Sequence, residues 1–104
     1  MHVTVSARHN LAIDAALRDR AHEVLDRLGR AGDRALEGTV VFDTVAGQSH
    51  AEIRMHCVGG QVLVASAEAG DHRSALDQVE EKLRRQLRRV QKRPLAQRHV
   101  VPAT

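Results

Sequence analysis

Aromatic residues are almost missing from this chain: among its 104 residues there is one Phe, Phe42, and neither Trp nor Tyr. Its core must therefore be aliphatic, and recognition of single-stranded nucleic acid by stacking bases on rings is disfavoured. Cysteine is equally scarce. Cys57 stands alone, which excludes an intrachain disulfide and suits a reducing compartment. No run approaches the roughly 18 apolar residues that a membrane span needs. The opening MHVTVSARHN has no apolar stretch behind a basic patch, so no secretory leader is expected and the expected location is cytoplasmic.

The marks of chemistry are missing too. Seven histidines are present, but none falls in a CxxC, HxxxH or HExxH spacing, and a zinc site would need about four converging ligands. His50 and His56 share one strand face yet lie about 20 Å apart at strand rise, while His56 and Cys57 point to opposite faces. Gly59-Gly60 lacks the spacing of a phosphate-cradling loop, and Cys57 reads as a small core residue. No paired carboxylates stand out. No enzyme activity, metal, cofactor or small-molecule substrate is expected.

The last absence is of acid. Residues 1–81 hold eight Lys/Arg against thirteen Asp/Glu, whereas residues 82–104 hold eight Lys/Arg and no carboxylate. The net charge of +3 therefore hides one strongly cationic segment. Such a segment attracts polyanions, nucleic acid first and anionic membrane second.

Apolar residues make up 42% of the chain, enough for one globular domain with a modest core. Residues 2–7 alternate as a short strand, with Val3 and Val5 on one face. Ile13, Leu17, Ala21, Val24 and Leu28 recur at helical spacing over 14–30, with Asp14 as N-cap and Gly29 and Gly32 placed to stop the helix. Residues 38–45 read as a strand bounded by Gly38 and by Gly47-Gln48-Ser49. Residues 50–58 alternate most clearly: Ala51, Ile53, Met55 and Cys57 against His50, Glu52, Arg54 and His56. Gly59-Gly60 then suits a two-residue hairpin turn into a strand over 61–68. Asp71 caps a second helix over 72–93, whose stripe is Leu76, Val79, Leu83, Leu87 and Val90, and Pro94 closes it. Residues 94–104 read as a flexible tail. The order β-α-β-β-β-α predicts an α+β fold with two helices on one face of a four-stranded sheet, the first two strands parallel through a right-handed crossover.

The second helix ends EEKLRRQLRRVQKR. Its apolar stripe spans an arc of roughly 80°. Lys82, Arg85, Arg89 and Lys92 fall nearly opposite, with Arg84 and Arg88 on a flank. Guanidinium forks one helical turn apart suit a phosphate backbone. Cations near a helix C-terminus also complement its dipole, but like charges at Arg84/Arg88 and Arg85/Arg89 cost a few tenths of a kcal/mol each, which an external polyanion would offset. On the first helix Arg20 and Arg27 share an edge, interleaved with Asp19, Glu23 and Asp26. A salt-bridged exposed face and an RNA contact fit that edge equally.

Four segments together, HVTVSARH, ALRDRAHEVLDRL, AEIRMHCVGG and ASAEAGDHRSALDQVEEKLRRQLRR, resemble the ribosome hibernation promoting factor and ribosome-associated inhibitor A family, formerly called sigma-54 modulation proteins. The likeness covers about residues 2–93 and is most specific from Asp71 to Leu87. It implies a β-α-β-β-β-α fold similar to double-stranded-RNA-binding domains. It also implies binding in the mRNA and tRNA channel of the small ribosomal subunit, on its rRNA, so that translation stops and ribosomes are stored. Carried over by position, the implied contacts are Lys82, Arg85, Arg88, Arg89 and Lys92, with Arg84 beside them, then Arg20 and Arg27, and Arg8 after the first strand. This sequence departs from the family at Ala7, where Gly is frequent, at Arg20 and Val24, and at His72-Arg73, where Arg73 adds basic surface. Residues 1–93 would be the ribosome-binding domain, acting as a monomer; the chain is a short-form member or a truncated long one. Two rival readings are a general module for structured RNA and a domain whose basic helix docks an acidic protein.

Overall fold

The computed structural model describes residues 1–31 and 35–92, with side chains as far as Arg89. Six elements follow in the expected order: β1 (His2–Ala7), α1 (Ala15–Ala31), β2 (Ala35–Val45), β3 (Gln48–Cys57), β4 (Val62–Ala69) and α2 (His72–Lys92). The strands lie side by side as β1-β2-β3-β4. β1 pairs with β2 in parallel, and β2–β3 and β3–β4 are antiparallel. Alternation decides which face is buried: Val40 and Phe42, Ala51, Ile53, Met55 and Cys57, and Leu63, Ala65 and Ala67 all point into one core. Both helices cover that face. α1 contributes Ala21, Val24, Leu25 and Leu28, and α2 contributes Ala75, Leu76, Val79, Leu83 and Leu87. Leu25, absent from the stripe read in the sequence, is fully buried. Val90 was the last residue of the α2 stripe; its side chain, position 93 and the segment 94–104 lie outside the described residues.

Both helix caps form as the sequence predicts. Asp14 Oδ1 accepts from Leu17 N at 2.8 Å, and Asp71 Oδ1 accepts from Ser74 N at 2.7 Å, each satisfying an amide that the first turn leaves free. Cys57 is buried in the core, as its place in the alternation requires, and burial pushes its thiol up.

The punctuation differs from expectation at the glycines. Gly38 does not begin β2 but lies inside it, and a Cβ there would stand 3.0 Å from Leu25 Cδ2. It is a packing requirement of the α1–β2 contact, invisible in local sequence. Gly29 likewise sits inside α1 rather than ending it, because the helix runs on to Ala31, and Met1 packs over it. The β3–β4 turn holds three residues, Val58, Gly59 and Gly60, not two: Cys57 N donates to Gln61 O at 2.8 Å and so closes the loop one residue earlier on each strand. The β2–β3 turn is Ala46-Gly47, and Gln48 and Ser49 already belong to β3.

Ala46 has φ +50° and Gly47 φ +78°. Two left-handed residues in a two-residue loop are what the right-handed twist of a hairpin demands, and Asn-Gly is the preferred pair there. An alanine at such a φ costs about 1 kcal/mol. Ala46→Asn is expected to stabilise the protein by about 0.5–1 kcal/mol, read as a higher urea midpoint at unchanged slope.

Candidate nucleic-acid interface

Packing fixes which way each side of α2 looks. Its leucines face the sheet. One flank faces α1, the other lies along β4, and the remaining side is open. The expected cations are distributed among these three environments.

The flank toward α1 is a seam of ion pairs. Arg20 Nη2 donates to Asp77 Oδ1 at 3.1 Å, and its Nη1 lies 3.7 Å from Glu23. Farther along, Arg27 donates from Nε to Glu80 Oε2 at 2.9 Å and from Nη2 to Oε1 at 3.1 Å. Arg84 Nη2 donates to the same Glu80 Oε2 at 2.9 Å. Of the two readings open for the α1 edge, the paired one holds: Arg20 and Arg27 join α1 to α2. Arg20 Nε is buried without a partner, a sign of how closely this seam is packed.

Glu80 is the residue that sequence reading missed. It is buried, one of two charged residues so placed among those described. On the helical wheel it borders the Leu76–Leu83 stripe and precedes Arg84 by four residues, the favourable direction for such a pair. That spacing was the available signal. Burial pushes its carboxyl up, but the hydrogen bonds and charges of Arg27 and Arg84 outweigh burial and hold it below the ordinary value of 4.5. The Asp71 carboxyl is held low by its hydrogen bonds to Ser74. A carboxylate with a depressed folded-state pKa stabilises the fold above its unfolded value, and that contribution is lost as pH falls through the folded value. Stability should therefore hold down to about pH 4.5 and decline below it. In urea titrations between pH 5 and 3, Glu80→Gln should show a shallower decline than the parent.

On the β4 flank, Lys82 Nζ donates to Ser66 O at 2.7 Å, and one turn on Gln86 Nε2 donates to Val64 O at 3.1 Å. β4 is an edge strand, and these two side chains cover the carbonyls that would otherwise be open. Lys82 remains exposed but already has a structural bond.

The open side carries Arg85 and Arg89. Arg85 lies 3.5 Å from Glu81, both well exposed, a pair worth little in water. Arg88, at the seam's outer rim, and Arg89 are exposed and belong to no ion pair among the described residues. Lys92 is the last residue of α2, and its side chain lies outside the described residues.

A second group lies at the opposite end of α2. Arg8 and Arg73 are exposed. Between them Asp43 is buried: its Oδ1 accepts from Thr44 N at 2.8 Å and meets His9 Nδ1 at 3.1 Å, while His72 Nε2 lies 2.8 Å from its backbone oxygen. Hydrogen bonding to His9 is the main reason its carboxyl is held low. His72 also meets Phe42 edge-on, ring centres 5.7 Å apart. Arg73 and Arg88 are separated by about 22 Å at helical rise, so the exposed charge forms two patches at the ends of one rod. Among the described residues no group of three or more His, Cys, Asp or Glu could hold a metal ion, and no helix is long and apolar enough to cross a membrane.

A four-stranded mixed sheet, backed by two helices and carrying exposed guanidinium groups on α2, defines a small α+β domain built to present cations. Residues 3–94 match the family described as Sigma 54 modulation protein / S30EA ribosomal protein, and the chain belongs to that family. It is 37% identical to the ribosome hibernation promoting factor of Azotobacter vinelandii over 87 residues, which is 84% of this chain and 79% of that protein. Its fold is similar to the N-terminal domain of Thermus thermophilus Protein Y, with TM-score 0.75 and 30% identity over 86% of this chain and 99% of that one. It also matches a ribosomal subunit interface protein from Coxiella burnetii, with TM-score 0.80 and 22% identity over 89% of this chain and 100% of the other.

Proposed function

We propose that this protein is a ribosome hibernation factor of the cytoplasm that binds the small ribosomal subunit through the phosphate backbone of its rRNA, in the channel used by mRNA and tRNA. The observation that carries this reading is the acid-free end of α2, where Arg88 and Arg89 stand exposed and outside every ion pair among the described residues. Like charges one turn apart are mildly unfavourable in the free protein and become favourable against phosphate. The kinship with a hibernation promoting factor supports the ribosome as the source of that phosphate. In this reading residues 1–93 are the binding unit, a monomer, and it acts by occupying a channel rather than by catalysis.

Arg85, Arg88, Arg89 and Lys92 make the main contacts at one end, and Arg8 and Arg73 make them at the other. Arg84, Arg20 and Arg27 serve from the seam, and Lys82 from the β4 edge. Titration of purified small subunits at rising salt tests the reading, with free duplex RNA in parallel. Binding to subunits should be the tighter of the two and should weaken steeply with salt, as counterion release requires. Equal affinity for both would favour a general RNA-binding module, and binding indifferent to salt would remove the phosphate contact altogether.

A further inference from the structure

We infer that Glu80 is a positioning residue for RNA binding, a buried carboxylate that assembles Arg27 of α1 and Arg84 of α2 into one phosphate clamp. This rests on the reading above, in which the cationic side of α2 meets rRNA.

Hydrogen-bond geometry carries the inference. Glu80 Oε2 accepts from both arginines at 2.9 Å, and Oε1 accepts from Arg27 Nη2 at 3.1 Å. Arg27 spends its Nε–Nη2 edge on the carboxylate, so its Nη1 is left over. Arg84 spends Nη2 alone, so its Nε and Nη1 are left over. The carboxylate is nearly out of water, at 11% side-chain exposure, while the guanidinium groups above it are 36% and 41% exposed. The anion is thus underneath and the unused donors are on top. Guanidinium groups are planar and rigid; pinned from below, they keep a fixed relation to each other and lose little freedom when a phosphate arrives.

The charge balance points the same way. At the Arg20 end of the seam one cation faces two carboxylates, Glu23 and Asp77. At Glu80 two cations share one carboxylate, and Arg88 follows one turn on without an ion pair. The groove between the helices therefore turns from anionic to cationic along its length, and Glu80 sits where it becomes cationic. An ion pair serving only to join the helices would need one arginine, as at Arg20.

The sign of a substitution effect decides the matter. If only net charge counted, removing an anion from beneath an RNA-binding surface would tighten binding. A clamp predicts the reverse. Glu80→Gln keeps the size and one acceptor oxygen but cannot hold two guanidinium groups. It is expected to weaken association with purified small subunits about tenfold, the loss of roughly one charge-assisted contact. The slope of log affinity against log salt should become shallower by about 1–2, at ~0.9 per phosphate released. Glu80→Asp, which keeps the charge, should retain most of the affinity.

Thermal melts monitor folding. Should Glu80→Gln fail to fold, Arg84→Lys gives the decision instead: it keeps the charge but loses the planar fork, and a severalfold weaker affinity with a shallower slope is expected. A folded Glu80→Gln that binds as well as the parent or better, or weaker binding at unchanged slope, would overturn the clamp. Running the same variants on free duplex RNA separates the two ideas. Loss on duplex RNA by a parent that ignores small subunits would keep the clamp and discard the ribosome, and a parent that binds neither would discard both.

Discussion

Replacing Phe42 with alanine is expected to lower the stability of this protein by about 3–5 kcal/mol. Phe42 is the largest fully buried side chain and the only aromatic residue in the sequence. It stands on β2 opposite Ala51, which in turn faces Ala67 on β4, so its neighbours across the sheet are small. Short side chains cannot swing in to refill the space, and the site should collapse poorly. Domains of this size are stable by only about 5–15 kcal/mol in total, so the variant is expected to be partly unfolded near body temperature. Urea denaturation followed by circular dichroism reads the effect as a lower midpoint with unchanged slope. A loss below about 1.5 kcal/mol, within the range of a volume-conserving swap, would mean that the helices settle onto the sheet and close the gap.

The second large effect concerns binding. Arg88→Glu with Arg89→Glu is expected to weaken association with small subunits at least 100-fold, since hydrogen bonds to charged groups contribute about 1.5–3 kcal/mol each and each tenfold change corresponds to about 1.4 kcal/mol. Both residues are exposed and outside the core, so melting should be little changed, which separates lost binding from lost folding. The matching control is Arg20→Gln. Arg20 is already held by Asp77 and Glu23, so its loss should lower the melting temperature more than the affinity. Unchanged sedimentation of the Arg88/Arg89 variant with small subunits would move the interface away from this end of α2.

These contrasts follow from how the cations are shared out, and only part of that was legible in the sequence. The stripe of Leu76, Val79, Leu83 and Leu87 predicted which side of α2 is buried, and alternation over Ala51–Cys57 predicted the inner face of β3, because both signals are local and periodic. The caps at Asp14 and Asp71 were legible for the same reason. What periodicity cannot report is which element lies beside a flank. Arg20 and Arg27 face acids fifty-odd positions away on another helix, and Lys82 reaches a carbonyl on β4; each partner is chosen by tertiary packing. Glu80 was overlooked because a carboxylate beside two arginines reads as ordinary solvated helix surface, although its spacing to Arg84 favoured a pair. Gly38 misled in the opposite direction: a glycine that looks like a strand breaker is in fact the place where Leu25 comes closest. Ala46 gave no turn signal, since alanine is the wrong residue for its conformation.

The covering of β4 by Lys82 and Gln86 bears on behaviour in a crowded cell. A sheet with two bare rims can add neighbours on both sides and grow without limit, whereas one with a single bare rim can join only once. Here the β4 rim is shielded by α2, and among the described residues no side chain reaches the outer rim of β1. Strand-to-strand joining of copies would end at a pair, so the molecule can accumulate to high concentration without seeding fibres.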